Sequence, residues 1–216
     1  TNWANPPWAT LLIRKLVENN EFKNKFINRY ADEMNSRFLP NIVTEKFLSI
    51  YNHMYNEMLN HIDRWSDSEP WVDVSTVYYY VNNMNNFAIY RQPEAKQHIL
   101  DQFDLDQYHE VTLSNITPER GYIRVNNNLR IQEQEWSGDY FEDVPITLRA
   151  VAESGYEFSH WSGLIESSEV EITLNIEDES YLQAHFIQSS DLNLVINEIN
   201  YKSVSYTHLT LPTSSQ

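Results

Sequence analysis

The side chains able to bind a metal or move a proton are few and poorly grouped. His53 and His61 lie on one periodic stretch. Eight residues along a helix separate them by about 12 Å, too far to share an ion, so a surface or partly buried pair is expected. His61-Ile62-Asp63-Arg64-Trp65 is the densest constellation. Its expected role is structural: Arg64 pairs with an acid of the preceding helix, and Trp65 closes the helix end. Arg29 and Asp32, one turn apart, are expected to form a local ion pair rather than an acid-base dyad. Phosphoryl transfer needs a phosphate cradle, metal-holding carboxylates and a base around one point. The four glycines, Gly121, Gly138, Gly155 and Gly163, are too dispersed for a phosphate loop, and all lie beyond residue 108. The carboxylates before that point alternate with Lys and Arg on what read as solvated faces. No Gly-x-Ser-x-Gly elbow and no His-Glu-x-x-His motif occurs. The sequence therefore nominates no catalytic, cofactor-binding or metal-binding residue.

The elements around these residues are more legible. In residues 18–34, Phe22, Phe26, Tyr30 and Met34 recur every fourth position and Phe38 continues the row. This predicts a helix over 21–38 with a wide aromatic stripe opposite Lys23, Asn24, Asn28 and Glu33, ended by Pro40. Before it, Thr10 is positioned to cap a helix running to about Glu18. After it, Asn41 or Thr44 is expected to cap a helix carrying Phe47, Ile50, Met54 and Met58 to about Arg64. Val74, Val77, Val81 and Met84 mark a further helix, against some strand preference in Tyr78-Tyr79-Tyr80. Pro93 is expected in the first turn of a last helix bearing Ile99, Leu100 and Phe103. From His109 the period falls to two. Val111–Leu113, Tyr122–Val125, Leu129–Ile131, Ile146–Ala150, Val170–Ile176 and Ala184–Phe186 alternate apolar with polar, the mark of strands with one buried face. Asn126-Asn127-Asn128 reads as a turn, because Asn tolerates positive φ.

Charge separates the same two regions. The chain carries 15 basic and 31 acidic side chains, net −16. Residues 1–108 hold net −4 and residues 109–216 net −12. Such a surface repels phosphate backbones, so nucleic acid is excluded as a partner, and no apolar run approaches the length of a membrane span. There is no cysteine, which removes disulfides and thiolate metal sites. The opening Thr1-Asn2-Trp3 shows no initiator and no signal-peptide pattern, so the sequence is read as an internal piece of something longer.

Order and spacing across the first hundred residues resemble a known family. Leu11-Leu12-Ile13-Arg14-Lys15-Leu16-Val17, then Phe26-Ile27-Asn28-Arg29-Tyr30-Ala31-Asp32, then Glu57 to Trp65, then Phe87-Ala88-Ile89-Tyr90-Arg91-Gln92-Pro93 and Phe103-Asp104-Leu105 are similar to the carboxyl-terminal part of the CotH kinase family. The resemblance implies an α+β multidomain fragment, with the helical C-lobe of a protein-kinase-like fold at 1–108. It implies a parent that uses ATP and Mg to phosphorylate serine on protein substrates. The family's nucleotide- and metal-binding motifs lie in the N-terminal part of the lobe, before the segment where this sequence opens, so no cofactor site is expected in these residues.

Gly155-Tyr156-Glu157-Phe158-Ser159-His160-Trp161-Ser162-Gly163, with Ala184-His185-Phe186, resembles an internalin-type bacterial repeat, a small all-β module of exported surface proteins. That assigns 109–188 to an all-β module, with Trp136 and Trp161 as packing aromatics. Leu192 to Tyr201 resembles the first strand of a lamin-tail-like domain over 189–202, and 203–216 looks like a translated adapter tail, expected to be non-native. Two readings follow. One is an exported or cell-surface CotH-type kinase whose catalytic motifs lie outside this segment, with a protein substrate or surface partner. The other is an adhesive or scaffolding surface protein with a degenerate kinase-like lobe. Residues 1–108 alone are expected to aggregate or stay molten, because the stripe of the 21–38 helix would be left uncovered.

Overall fold

The computed structural model describes residues 8–69 and 73–190. The segments 189–202 and 203–216, read above as a lamin-tail-like strand and a non-native tail, lie outside the described residues beyond Ser190. Four helices come first: α1 (Leu11–Leu16), α2 (Asn20–Met34), α3 (Pro40–Trp65) and α4 (Val74–Phe103). Eight strands follow: β1 (Tyr108–Ser114), β2 (Gly121–Val125), β3 (Leu129–Ile131), β4 (Glu135–Phe141), β5 (Ile146–Ala152), β6 (Tyr156–Gly163), β7 (Glu171–Leu174) and β8 (Ser180–Gln188). The change from helical to extended backbone falls between Phe103 and Tyr108, where Asp104 ends α4 in the left-handed conformation at φ 55°.

The strands form two four-stranded sheets, ordered β4-β1-β8-β6 and β3-β2-β5-β7. All pairs are antiparallel except β1 with β8. Alternation delivers the inward faces expected from the sequence: Val111 and Leu113, Ile123 and Val125, Ile146 and Leu148 are all buried. Asn126 and Asn127 turn β2 into β3 with φ of 49° and 60°, as their side chains allow. Two strands escaped the sequence reading. β4 points Trp136, Gly138 and Tyr140 inward, and a glycine dilutes its apolar signal. β6 shifts register between Phe158 and His160, which breaks its alternation. Trp161 is completely buried and donates its indole N–H to the Glu169 carbonyl at 2.9 Å, so it is a packing residue; Trp136 lies half-buried against the same core.

The helices depart from expectation in specific ways. Thr10 makes no side-chain cap, and α1 stops at Leu16. Asn19 caps α2 through a 3.0 Å bond from the Phe22 amide, so α2 starts earlier than expected and ends at Met34. Pro40 does not end α2. It opens α3 at the first turn, where its missing N–H costs nothing, with Leu39 rather than Asn41 or Thr44 at the cap. Pro93 likewise does not begin a helix: it lies inside the 30-residue α4. A helix interior charges proline about 3 kcal/mol. Packing on both sides offsets that cost: Ala88 before Pro93 is buried, as are Ala95, Ile99 and Leu100 after it.

The largest correction concerns α2. Its buried residues are Ile27, Asn28, Ala31, Asp32 and Met34, followed by Asn35. Phe22, Phe26 and Tyr30 are only half-buried, and Phe38 is 51% exposed beyond the helix end. The buried face is therefore rotated by roughly 100°, one residue step, from the aromatic row, and it includes Asn28 from the face assigned to solvent. What covers it is the β sandwich. Ile27 and Ala31, with Ile99 and Leu100 of α4, belong to one hydrophobic cluster with the inward residues of both sheets.

Candidate functional site

The most organised polar constellation lies where α2 meets the sandwich. Asn28, Asp32 and Asn35 are spaced by four and three residues, so they form one row on the buried face. Asp32 is 1% exposed. Its Oδ1 accepts from the Tyr140 hydroxyl at 2.9 Å and the Asn126 amide at 3.0 Å, and its Oδ2 accepts from the Asn128 amide at 2.8 Å. The donors are themselves fixed. Asn126 Oδ1 accepts from the Thr147 backbone N–H at 3.0 Å, and Asn128 Oδ1 from Arg29 at 2.6 Å. Burial raises the Asp32 pKa, while its bonds from Asn128, Asn126 and Tyr140 and the charge of Arg29 pull the other way. Tyr140, desolvated and facing that carboxylate, is pushed well above the usual phenol range.

The ends of the row use backbone. The Asn28 amide donates to the Pro145 carbonyl at 2.7 Å. Asn35 donates to the Asp139 carbonyl at 2.7 Å and accepts from the Asp139 N–H at 3.0 Å. Because β4 is the edge of its sheet, those two backbone groups have no neighbouring strand, and the Asn35 carboxamide occupies the edge as a short strand would. Gly138 makes the approach possible: a side-chain carbon there would collide with Trp136 and press on Asn35. Lys96 of α4 adds an ion pair with the Asp139 carboxylate and lies 5.2 Å over the Tyr108 ring.

Chemically this row is a clamp. Both Asp32 oxygens accept from protein donors and the carboxylate is buried, so the arrangement presents it to no substrate or ion. Arg29 and Asp32 do not form the expected pair. Arg29 bridges Asn128 and Glu33, the latter at 2.6 Å, and reaches Asp32 only through the Asn128 amide. His53 and His61 are exposed on α3 and are not brought together. Arg64 lies over the Trp65 ring at 5.4 Å, and among the described residues it forms no ion pair with α2. No group of three or more His, Asp or Glu among the described residues is arranged to hold a metal. Sequence reasoning missed Asn28, Asp32 and Asn35 as an interface because short polar residues on a helix read as solvated. The signal lay in their four-three spacing and in a second asparagine run at 126–128.

A second constellation lies on the outer face of the other edge strand. The rings of His160 on β6 and His185 on β8 stack at 4.2 Å, 7° from parallel. Ser159 bonds His160 Nδ1 at 2.9 Å and Ser162 bonds His185 Nε2 at 2.7 Å. Partial burial, then the neighbouring His160, lowers the His185 pKa, opposed by Glu166. Below the usual histidine pKa of about 6.5 the unfolded chain then binds more protons than the folded one. Stability is therefore full above that pH and falls as the solution is acidified through it. The urea midpoint is expected to drop between pH 7 and 5, and His185→Gln to flatten that slope; an unchanged slope in the variant assigns the pH dependence elsewhere.

Helices followed by paired sheets define an α+β architecture, and among the described residues no helix is long and apolar enough to cross a membrane. Over residues 1–94 the chain matches the family described as CotH kinase protein. The match runs through α1, α2 and α3 into α4, stops before the first strand, and covers under half of the 216 residues. No curated protein and no solved structure matches the chain.

Proposed function

We propose that residues 1–108 are the non-catalytic helical part of a CotH-type kinase-like lobe, carried on an exported or cell-surface protein, and that 109–188 is an accessory all-β module of bacterial-repeat type. The observation that carries this reading is the family match over 1–94. The proposed activity of the whole protein is transfer of phosphate from ATP, with Mg, to serine on a protein substrate. These residues do not fit that cofactor pair themselves. The most buried carboxylate, Asp32, has both oxygens occupied, and the four glycines are scattered through the sandwich. The role assigned to this segment is mechanical: the sandwich holds α2, and α2 would carry the rest of the lobe.

The second reading is a surface adhesion or scaffolding protein with a degenerate lobe. One comparison separates them. The protein encoded by the complete reading frame is assayed for Mg-dependent transfer of labelled phosphate to serine beside the 216-residue chain. The kinase reading expects transfer by the former only, and no Mg-dependent ATP shift in melting temperature for the latter. Transfer by neither favours the scaffold, and an ATP shift in the 216-residue chain contradicts the assignment of this segment as non-catalytic.

A further inference from the structure

The other end of the helical region lacks the cover that α2 has. α3 has no buried residue, and those of α4 all lie from its midpoint, Ala88, onward. The two helices are joined across part of their length, with Thr44 donating to Asn85 at 3.2 Å. Along one face of the pair run two clefts, about 400 and 640 Å³, which share Phe47 and Ile50 and so form one groove. All four methionines of the chain, Met34, Met54, Met58 and Met84, line it. Thioether side chains adapt to an apposed apolar surface, and Met is enriched where proteins meet.

Charge is confined to the groove's two ends and differs in sign. Near the α2 end the lining cations are Arg37, Lys46 and Arg91, with no acid among the lining residues. Arg37 pairs with Glu33 at 3.3 Å, whereas Lys46 and Arg91 form no ion pair among the described residues. At the far end Asp73 lines the groove, and Asp63, Asp67 and Glu69 lie near it in the chain, outnumbering the one base among them, Arg64. A surface that is basic at one end, acidic at the other and apolar between is complementary to itself when turned end for end.

We propose that this groove is the interface between two copies of the chain, packed antiparallel so that α3 and α4 of each form a four-helix bundle. Counted from Pro40 at a helix rise of 1.5 Å per residue, Lys46 lies about 9 Å up the hairpin, and Asp73, which precedes the Asn85 bonded to Thr44 by twelve residues, about 24 Å. The two-fold axis that pairs them falls midway, at about 16 Å, the height of Tyr51 on α3, in the uncharged part of the groove. The face from Pro40 to His61 is about 30 Å long and two helices wide, or roughly 600 Å² per copy. Doubled, that reaches the lower bound of specific interfaces, about 1,200 Å² in total. The proposal goes beyond the kinase or scaffold reading and depends on neither.

Sedimentation equilibrium on the full 216-residue chain at micromolar concentration tests it. The expected mass is that of a dimer of 25.6 kDa chains. Tyr51→Glu, which places a charge beside the axis, is expected to weaken association at least about thirtyfold, and Lys46→Glu to weaken it most at low salt. Because the chain has no cysteine, Tyr51→Cys gives an independent readout: oxidation should link the two copies through position 51. A monomer at every concentration overturns the proposal, and so does a dimer that leaves position 51 unlinked.

Discussion

Asp32→Ala should cost about 3–5 kcal/mol of folding stability, the range seen when one member of a buried charged network is removed. The carboxylate takes three hydrogen bonds, and its loss strands donors that cannot turn elsewhere. The Tyr140 hydroxyl is fully buried. Asn126 and Asn128 have their other amide atoms committed to Thr147 and Arg29. Each stranded donor carries about 1–3 kcal/mol, lessened where water reaches it. Asp32→Asn keeps the volume but turns an amide N–H toward donors already in place, so it should still cost about 2 kcal/mol. Tyr140→Phe supplies the internal check. Alone it should cost about 1–2 kcal/mol, and in the Asp32→Ala background close to nothing, since the hydroxyl has by then lost its acceptor. Urea titration of the four proteins measures the coupling. Additive costs would mean that the clamp does not act as one unit.

Burial decides how far this was readable in advance. Alternation in Val111–Leu113, Ile123–Val125 and Ile146–Leu148 set the inward faces of the sheets, because a strand with one wet face has little choice of side. The helices are legible for a similar reason, yet apolar periodicity points to the wrong side of α2. Phe22, Phe26 and Tyr30 made the stronger apolar row, but the sandwich offers α2 an exposed sheet edge at Asp139 and a cluster of amide donors at 126–128. A row of Asn, Asp and Asn satisfies those groups, which an aromatic row would leave without partners. The outcome depends on the partner's polar groups, and these come from residues about 100 positions away in the chain. Pro93 departs from the local rule for a related reason: proline favours the first turn of a helix, and tertiary packing at Ala88, Ala95 and Ile99 carries one helix through it.

The same reasoning predicts how the molecule unfolds. Ile27 is completely buried and shares one hydrophobic cluster with both sheets. Ile27→Ala, a change on a helix, should therefore lower the stability of the sandwich by about 2–5 kcal/mol. The two regions have separate reporters. Helical ellipticity follows α2, α3 and α4, while Trp161 is enclosed by the sheets. If α2 and the sandwich share a core, the indole N–H resonance of Trp161, which NMR separates from those of the other five tryptophans, should be lost at a lower urea midpoint in the variant. Amide exchange in α2 should then accelerate together with β1 and β5 rather than ahead of them. Within one chain, α3 and the part of α4 before Ala88 have no buried residues to hold them, so at concentrations too low for two copies to pair their amides should exchange faster in every variant, and Leu48→Ala on α3 should move the Trp161 midpoint by less than about 0.5 kcal/mol. An Ile27→Ala protein in which ellipticity shifts while Trp161 does not would show two independent cores. In that case the clamp at Asp32 would hold together units that fold separately.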